Sequence, residues 1–128
     1  LQAYAKQGGR TPATLKKLAG LQEEAGDKNG AAATLARINY IYPQDEELHR
    51  RLGALYLENG NPAAAVREYQ VLVAGKPLDQ ADSNYRLALA FKAAGRKDDA
   101  RDAVINALEA APGYKAAQRL LLELDGKD

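Results

Sequence analysis

Apolar side chains return every three to four residues in seven successive blocks, and each of the first six is closed by glycine or proline. That spacing marks helices with one buried stripe; a strand would alternate at every second residue. It predicts helices over about 12–25, 28–41, 46–59, 62–75, 80–94, 97–111 and 114–125, joined by short turns. Gly26, Gly60 and Gly95 are placed to end the first helix of each pair, because glycine adopts positive φ without steric cost. Asp27 and Asn61 follow as caps for the next helix, and Pro62 sits at a first turn, where its missing N–H has no partner to lose. Thr11 and Pro12 give the same start signal for the opening helix. Pro43, Pro77 and Pro112 close the second helices, since proline disfavours helical geometry in the residue before it.

The blocks repeat. Gly26, Gly60 and Gly95 lie 34 and 35 residues apart, as do Pro43, Pro77 and Pro112. Between these markers Leu18, Leu52 and Leu87 share a column, as do Ala19, Gly53 and Ala88, and Ala31, Ala65 and Ala100. Leu35, Tyr69 and Val104 form another, and Ile38, Leu72 and Ala107 a further one. The small residues let a neighbouring helix approach closely, and a larger side chain at Gly53 or Ala65 is expected to overpack that contact.

In these columns the chain resembles the tetratricopeptide repeat family. Its pattern has Leu and a small residue at positions 7 and 8, an aromatic at 11, Ala at 20, an aromatic at 24 and Pro at 32. The middle copy, 46–79, fits best, with Leu52, Gly53, Tyr56, Ala65, Tyr69 and Pro77. The first, 12–45, carries Gln22 at the aromatic position 11, and the third, 80–114, carries Val104 at position 24 and one extra residue, Gln80. The resemblance implies an all-α, right-handed α-solenoid of antiparallel helix pairs, about seven helices in all. Residues 115–128 then form a capping helix, with Ala117, Leu120, Leu121 and Leu124 inward and Lys115, Gln118 and Glu123 outward. Leu122 lies off the inward face and leaves open a contact with a further repeat or a second copy. Residues 1–11 are a tail or, through Leu1, Tyr4 and Ala5, the end of a preceding helix.

Composition narrows the chemistry. Alanine fills 26 of 128 positions and leucine 18, against 7 for valine and isoleucine together, which favours helix. Without cysteine there is no disulfide, thiolate nucleophile or Cys-ligated zinc, and a single His cannot build a multi-histidine metal site. Lys and Arg number 18 against 17 Asp and Glu, so the net charge of +1 makes a nucleic-acid partner unexpected. No apolar run is long enough to span a bilayer. The absence of an initiating methionine suggests an excised piece of a longer protein, with bacterial cytoplasm and periplasm equally compatible.

Nothing assembles an active site. His49, at a half-buried packing column near Asp45 and Glu46, is expected to pack or cap; Ser83 is the only serine and lacks a nucleophile-elbow context. No phosphate-binding glycine motif occurs, and no cofactor is expected. The informative surface is instead the inner face that the resemblance assigns to positions 2, 5, 9, 12 and 13 of each first helix. Position 5 holds Lys16, Arg50, Tyr85 and Arg119, and position 9 holds Gly20, Ala54, Leu89 and Glu123. Positions 12 and 13 hold Glu23, Glu24, Leu57, Glu58, Lys92 and Ala93, while Lys17, Arg51 and Arg86 add cations at position 6. The candidate partner-binding set is Lys16, Gly20, Glu23, Arg50, Ala54, Leu57, Glu58, Tyr85, Leu89, Lys92 and Arg119.

This basic ladder has two readings. It attracts carboxylates of an extended acidic peptide over a small floor at Gly20 and Ala54, with Tyr85 and Leu89 as apolar anchor. Alternatively it solvates a helix face and pairs with Glu23, Glu24 and Glu58 two turns on. The family's two-carboxylate clamp is not carried over: Lys16 is present, but Gly20, Ala54 and Tyr85 occupy its other key places. The expected function is a non-catalytic scaffold binding a protein or peptide in the groove, with no small-molecule substrate. An assembly or spacer module of a larger bacterial protein, self-associating through its terminal helices, is the alternative. An RNA-binding helical repeat is a remote third.

Overall fold

The computed structural model describes residues 12–41 and 45–126. They form seven helices: α1 (Pro12–Glu24), α2 (Lys28–Ile41), α3 (Glu46–Glu58), α4 (Pro62–Ala74), α5 (Gln80–Ala93), α6 (Lys97–Ala110) and α7 (Lys115–Leu124). No strand occurs among the described residues. Every expected helix is present, with ends shifted by at most one residue. The expectations for Thr11, Pro43 and residues 1–11 lie outside the described residues.

The turn inside each helix pair follows one plan. Gly26, Gly60 and Gly95 have φ of 81°, 75° and 76°, the left-handed region that an L side chain avoids. The residue after each glycine donates its N–H back into the helix just ended: Asp27 to Gln22, Asn61 to Tyr56 and Arg96 to Phe91, at 2.7–2.8 Å. The expected caps are made, with Asp27 Oδ1 accepting from Gly30 N at 2.9 Å and Asn61 Oδ1 from Ala64 N at 3.3 Å. Arg96 breaks the series, since α6 starts without a side-chain cap; its guanidinium lies 4.7 Å from the Phe91 ring centroid instead. Two further caps, Asp45 on α3 and Asp79 on α5, accept from Leu48 N and Asp82 N.

Each helix packs chiefly on the one before it and the one after it. The small-residue columns are sealed, with Ala19, Ala31, Ala65, Ala88 and Ala100 wholly inaccessible. At Gly53 the reason is visible: a Cβ would lie 2.5–2.8 Å from the ring atoms of Tyr69, which is itself 1% exposed.

The apolar core falls into two clusters. One joins α1 and α2 to Leu48, Leu52 and Leu55 of α3; the other runs from α4 to α7, and Tyr56 packs on both. A polar cluster lies between α2, α3 and α4. His49 Nδ1 stands 2.9 Å from Glu68 Oε1, which also accepts from Asn39 Nδ2 at 3.2 Å. His49 is thus a packing histidine, more deeply buried than its column suggested, and it meets Glu68 of α4. In α7, Ala117, Leu120 and Leu124 are buried, Leu121 is half-buried, and Leu122 is exposed.

Candidate binding groove

The first helices α3 and α5 stand side by side with α4 behind them, and the space between holds an open cavity of about 420 Å³. Its lining comes from Glu47, Arg50, Arg51 and Ala54 of α3, Tyr69 of α4, and Asp82 and Arg86 of α5. On α3 these residues are separated by three, four and seven positions, so they share one face over about 10 Å of helix. Ala54 and the Tyr69 ring bring apolar surface to a cavity otherwise lined by charged side chains. Burial, foremost, raises the Tyr69 phenol above its ordinary value.

Asp82 is the electrostatic centre. Arg50 Nη1 donates to its Oδ2 at 2.7 Å while Nη2 donates to Ser83 Oγ at 2.8 Å, so one guanidinium joins the second repeat to the third. Arg86 Nε reaches the same carboxylate at 3.4 Å, and the Tyr114 hydroxyl donates to Oδ1 at 3.4 Å. The Tyr114 phenol is raised by burial first, then by the Asp82 charge and this hydrogen bond.

Three more cations of the inner face are held in the same way. Lys16 Nζ pairs with Asp45 at 2.9 Å, Lys92 with Glu123 at 2.8 Å, and Arg51 with Glu23. Glu58 takes Lys28 of α2 at 2.9 Å. These bonds run between neighbouring helices and repeats, not two turns along one helix as expected from the sequence. The stagger of adjacent helices brings oppositely charged columns within reach, whereas i,i+7 partners on one helix stand about 10 Å apart.

Of the other candidate residues, Leu57 and Leu89 are half-buried against the larger core cluster. Tyr85 is covered on one side by Tyr114, ring centroids 5.2 Å apart at 45°. A side chain built at Gly20 would meet nothing within 4 Å, so this stretch of α1 is open. Arg119 is exposed on α7. Only Arg50 and Ala54 of the candidate set line the cavity together, and Glu47, Tyr69 and Asp82 were not anticipated there. Glu47 and Asp82 occupy position 2 of their repeats, an inner-face column, so that signal was present in the sequence.

Among the described residues no group of three or more His, Cys, Asp or Glu is placed to hold a metal ion, and no helix is long and apolar enough to cross a membrane.

These features define a helical-repeat protein with a lined inner groove. The tetratricopeptide repeat family model matches residues 15–45 and 82–111, so the chain carries two segments of that family's repeat. A comparison with curated proteins gives no match. Three solved structures illustrate the fold. The first tetratricopeptide repeat of Spaghetti (RPAP3), bound to the HSP90 peptide SRMEEVD, is 18% identical over 89% of this chain and 90% of that one, with a TM-score of 0.75. MamA from Desulfovibrio magneticus RS-1, residue 41 to its end, is 20% identical over 96% and 69%, at 0.82. The Yersinia enterocolitica type III secretion chaperone SycD, in complex with a peptide of the translocator YopD, is 16% identical over 90% and 92%, at 0.76. The likeness establishes the right-handed α-solenoid architecture.

Proposed function

We propose that this protein is a non-catalytic interaction scaffold whose groove receives an extended segment of a protein partner. The observation that carries this is the open cavity between α3 and α5, which combines an apolar floor with hydrogen-bonding groups at its rim. Two neighbours of the same fold have bound peptides, which supports the class of ligand. Four cations of the inner face, Lys16, Arg50, Arg51 and Lys92, are not the recognition elements, because each has an acidic partner within the protein.

The variant that tests the groove must spare those pairs. Arg50→Glu would cut the bond to Asp82 and loosen the stack, so loss of binding there would be ambiguous. Ala54→Phe adds bulk to the cavity without replacing a member of any ion pair. Peptides selected from a displayed random library on the natural protein should lose at least about tenfold in affinity for Ala54→Phe, at unchanged helicity by circular dichroism. Equal binding to both proteins would reject the groove.

A further inference from the structure

Once the internal pairs are set aside, the cavity keeps two groups with bonding capacity to spare. The first is Arg86, whose side chain is half exposed and whose one hydrogen bond among the described residues is the 3.4 Å approach of Nε to Asp82, leaving the ends of the guanidinium open. The second is Glu47, exposed on the first turn of α3 and making no hydrogen bond or ion pair with any described residue. Ala54, half-buried, lines the same cavity, over the buried Tyr69. By contrast Arg50 spends two nitrogens on Asp82 and Ser83, and Arg51 is held by Glu23.

A uniformly acidic segment would meet Arg86 but would set its other charges against Glu47. A basic segment would have the reverse fault. We infer that the groove selects a segment of mixed charge, with an apolar side chain seated on Ala54, an acidic residue facing Arg86 and a basic residue facing Glu47. Charge complementarity with these two unspent groups identifies the occupant. The geometry favours Arg86 as the anion contact, because a guanidinium with two open nitrogens can grip a carboxylate bidentately. This inference rests on the groove binding a partner segment.

The test uses the same random library on the natural chain, Glu47→Lys and Arg86→Gln. Both substitutions fall on side chains with little or no structural bonding. Peptides retained by the natural chain should carry an acidic and a basic residue flanking an apolar one. Glu47→Lys should weaken those peptides about fivefold, and a peptide whose basic residue is changed to Glu should recover binding to Glu47→Lys. Arg86→Gln should weaken them by a similar factor, and this loss should vanish when the acidic residue is replaced by Gln. Peptides that are uniformly acidic, or indifferent to both substitutions while still sensitive to Ala54→Phe, would overturn the mixed-charge assignment and leave the groove standing. Failure to retain any peptide that responds to Ala54→Phe would remove the groove, and the assignment with it.

Discussion

Gly53 is the position where one added methyl group has most to displace. The ring it would strike belongs to Tyr69, a large side chain only 1% exposed and packed within the larger core cluster, so making room displaces packed neighbours. Gly53→Ala is expected to cost about 1–3 kcal/mol in urea unfolding, and Gly53→Ala with Tyr69→Leu to cost less than the two single changes together. Strict additivity would mean that the contact is not what excludes a side chain. The need for a small residue was legible from its column beside Ala19 and Ala88, because close helix approach leaves the same mark in every copy. That the obstructing atom belongs to Tyr69, sixteen positions on, was not legible, because it depends on how α4 rotates against α3.

At the scale of the element, the caps show how local chemistry sets boundaries. Asp45 starts α3 by accepting from Leu48 N, and the same carboxylate takes Lys16 from α1, so a cap and an inter-repeat tie share one side chain. Burial pushes the Asp45 pKa upward, but the Lys16 hydrogen bond, the Leu48 N–H and the nearby positive charges outweigh it, and the net direction is down. A carboxyl depressed in the folded state stabilises the protein above its unfolded value of 3.8, and that contribution is lost as pH falls through the lower folded value. Asp45→Asn keeps a competent cap but removes the titrating charge. Its stability should fall less steeply below pH 3.8 than that of the natural chain, as followed by thermal melts across the acid range. Identical acid limbs for the two proteins would exclude Asp45 as a contributor.

For the molecule as a whole, stability need not be uniform along a solenoid, since each repeat touches only its neighbours. The larger core cluster ties four helices together, whereas the smaller one serves α1, α2 and one side of α3. The seam between them carries the His49–Glu68–Asn39 cluster, whose hydrogen bonds offset only part of the cost of burial, since Asn39 Oδ1 is buried without a partner among the described residues, and add none of the apolar area of a continuous core. Native-state hydrogen exchange should therefore open α1 and α2 at lower free energy than α5 and α6. A single opening free energy shared by all seven helices would show that the seam transmits folding as well as the apolar clusters do.

The helices, their order, their turns and the repeat were all determined by the sequence alone. Each depends on interactions within a few residues, or on a column that recurs every 34 or 35 positions, and a linear reading can detect both. Which charges are spent and which are left over was decided only in three dimensions. Arg50 meets Asp82 across 32 positions and Arg51 meets Glu23 across 28, distances along the chain that fix no distance in space until the helices stack with a definite stagger. Two side chains of the same type in one column can therefore differ completely in role, as Arg51 and Arg86 do, because the neighbouring repeat satisfies one and leaves the guanidinium ends of the other open to the groove.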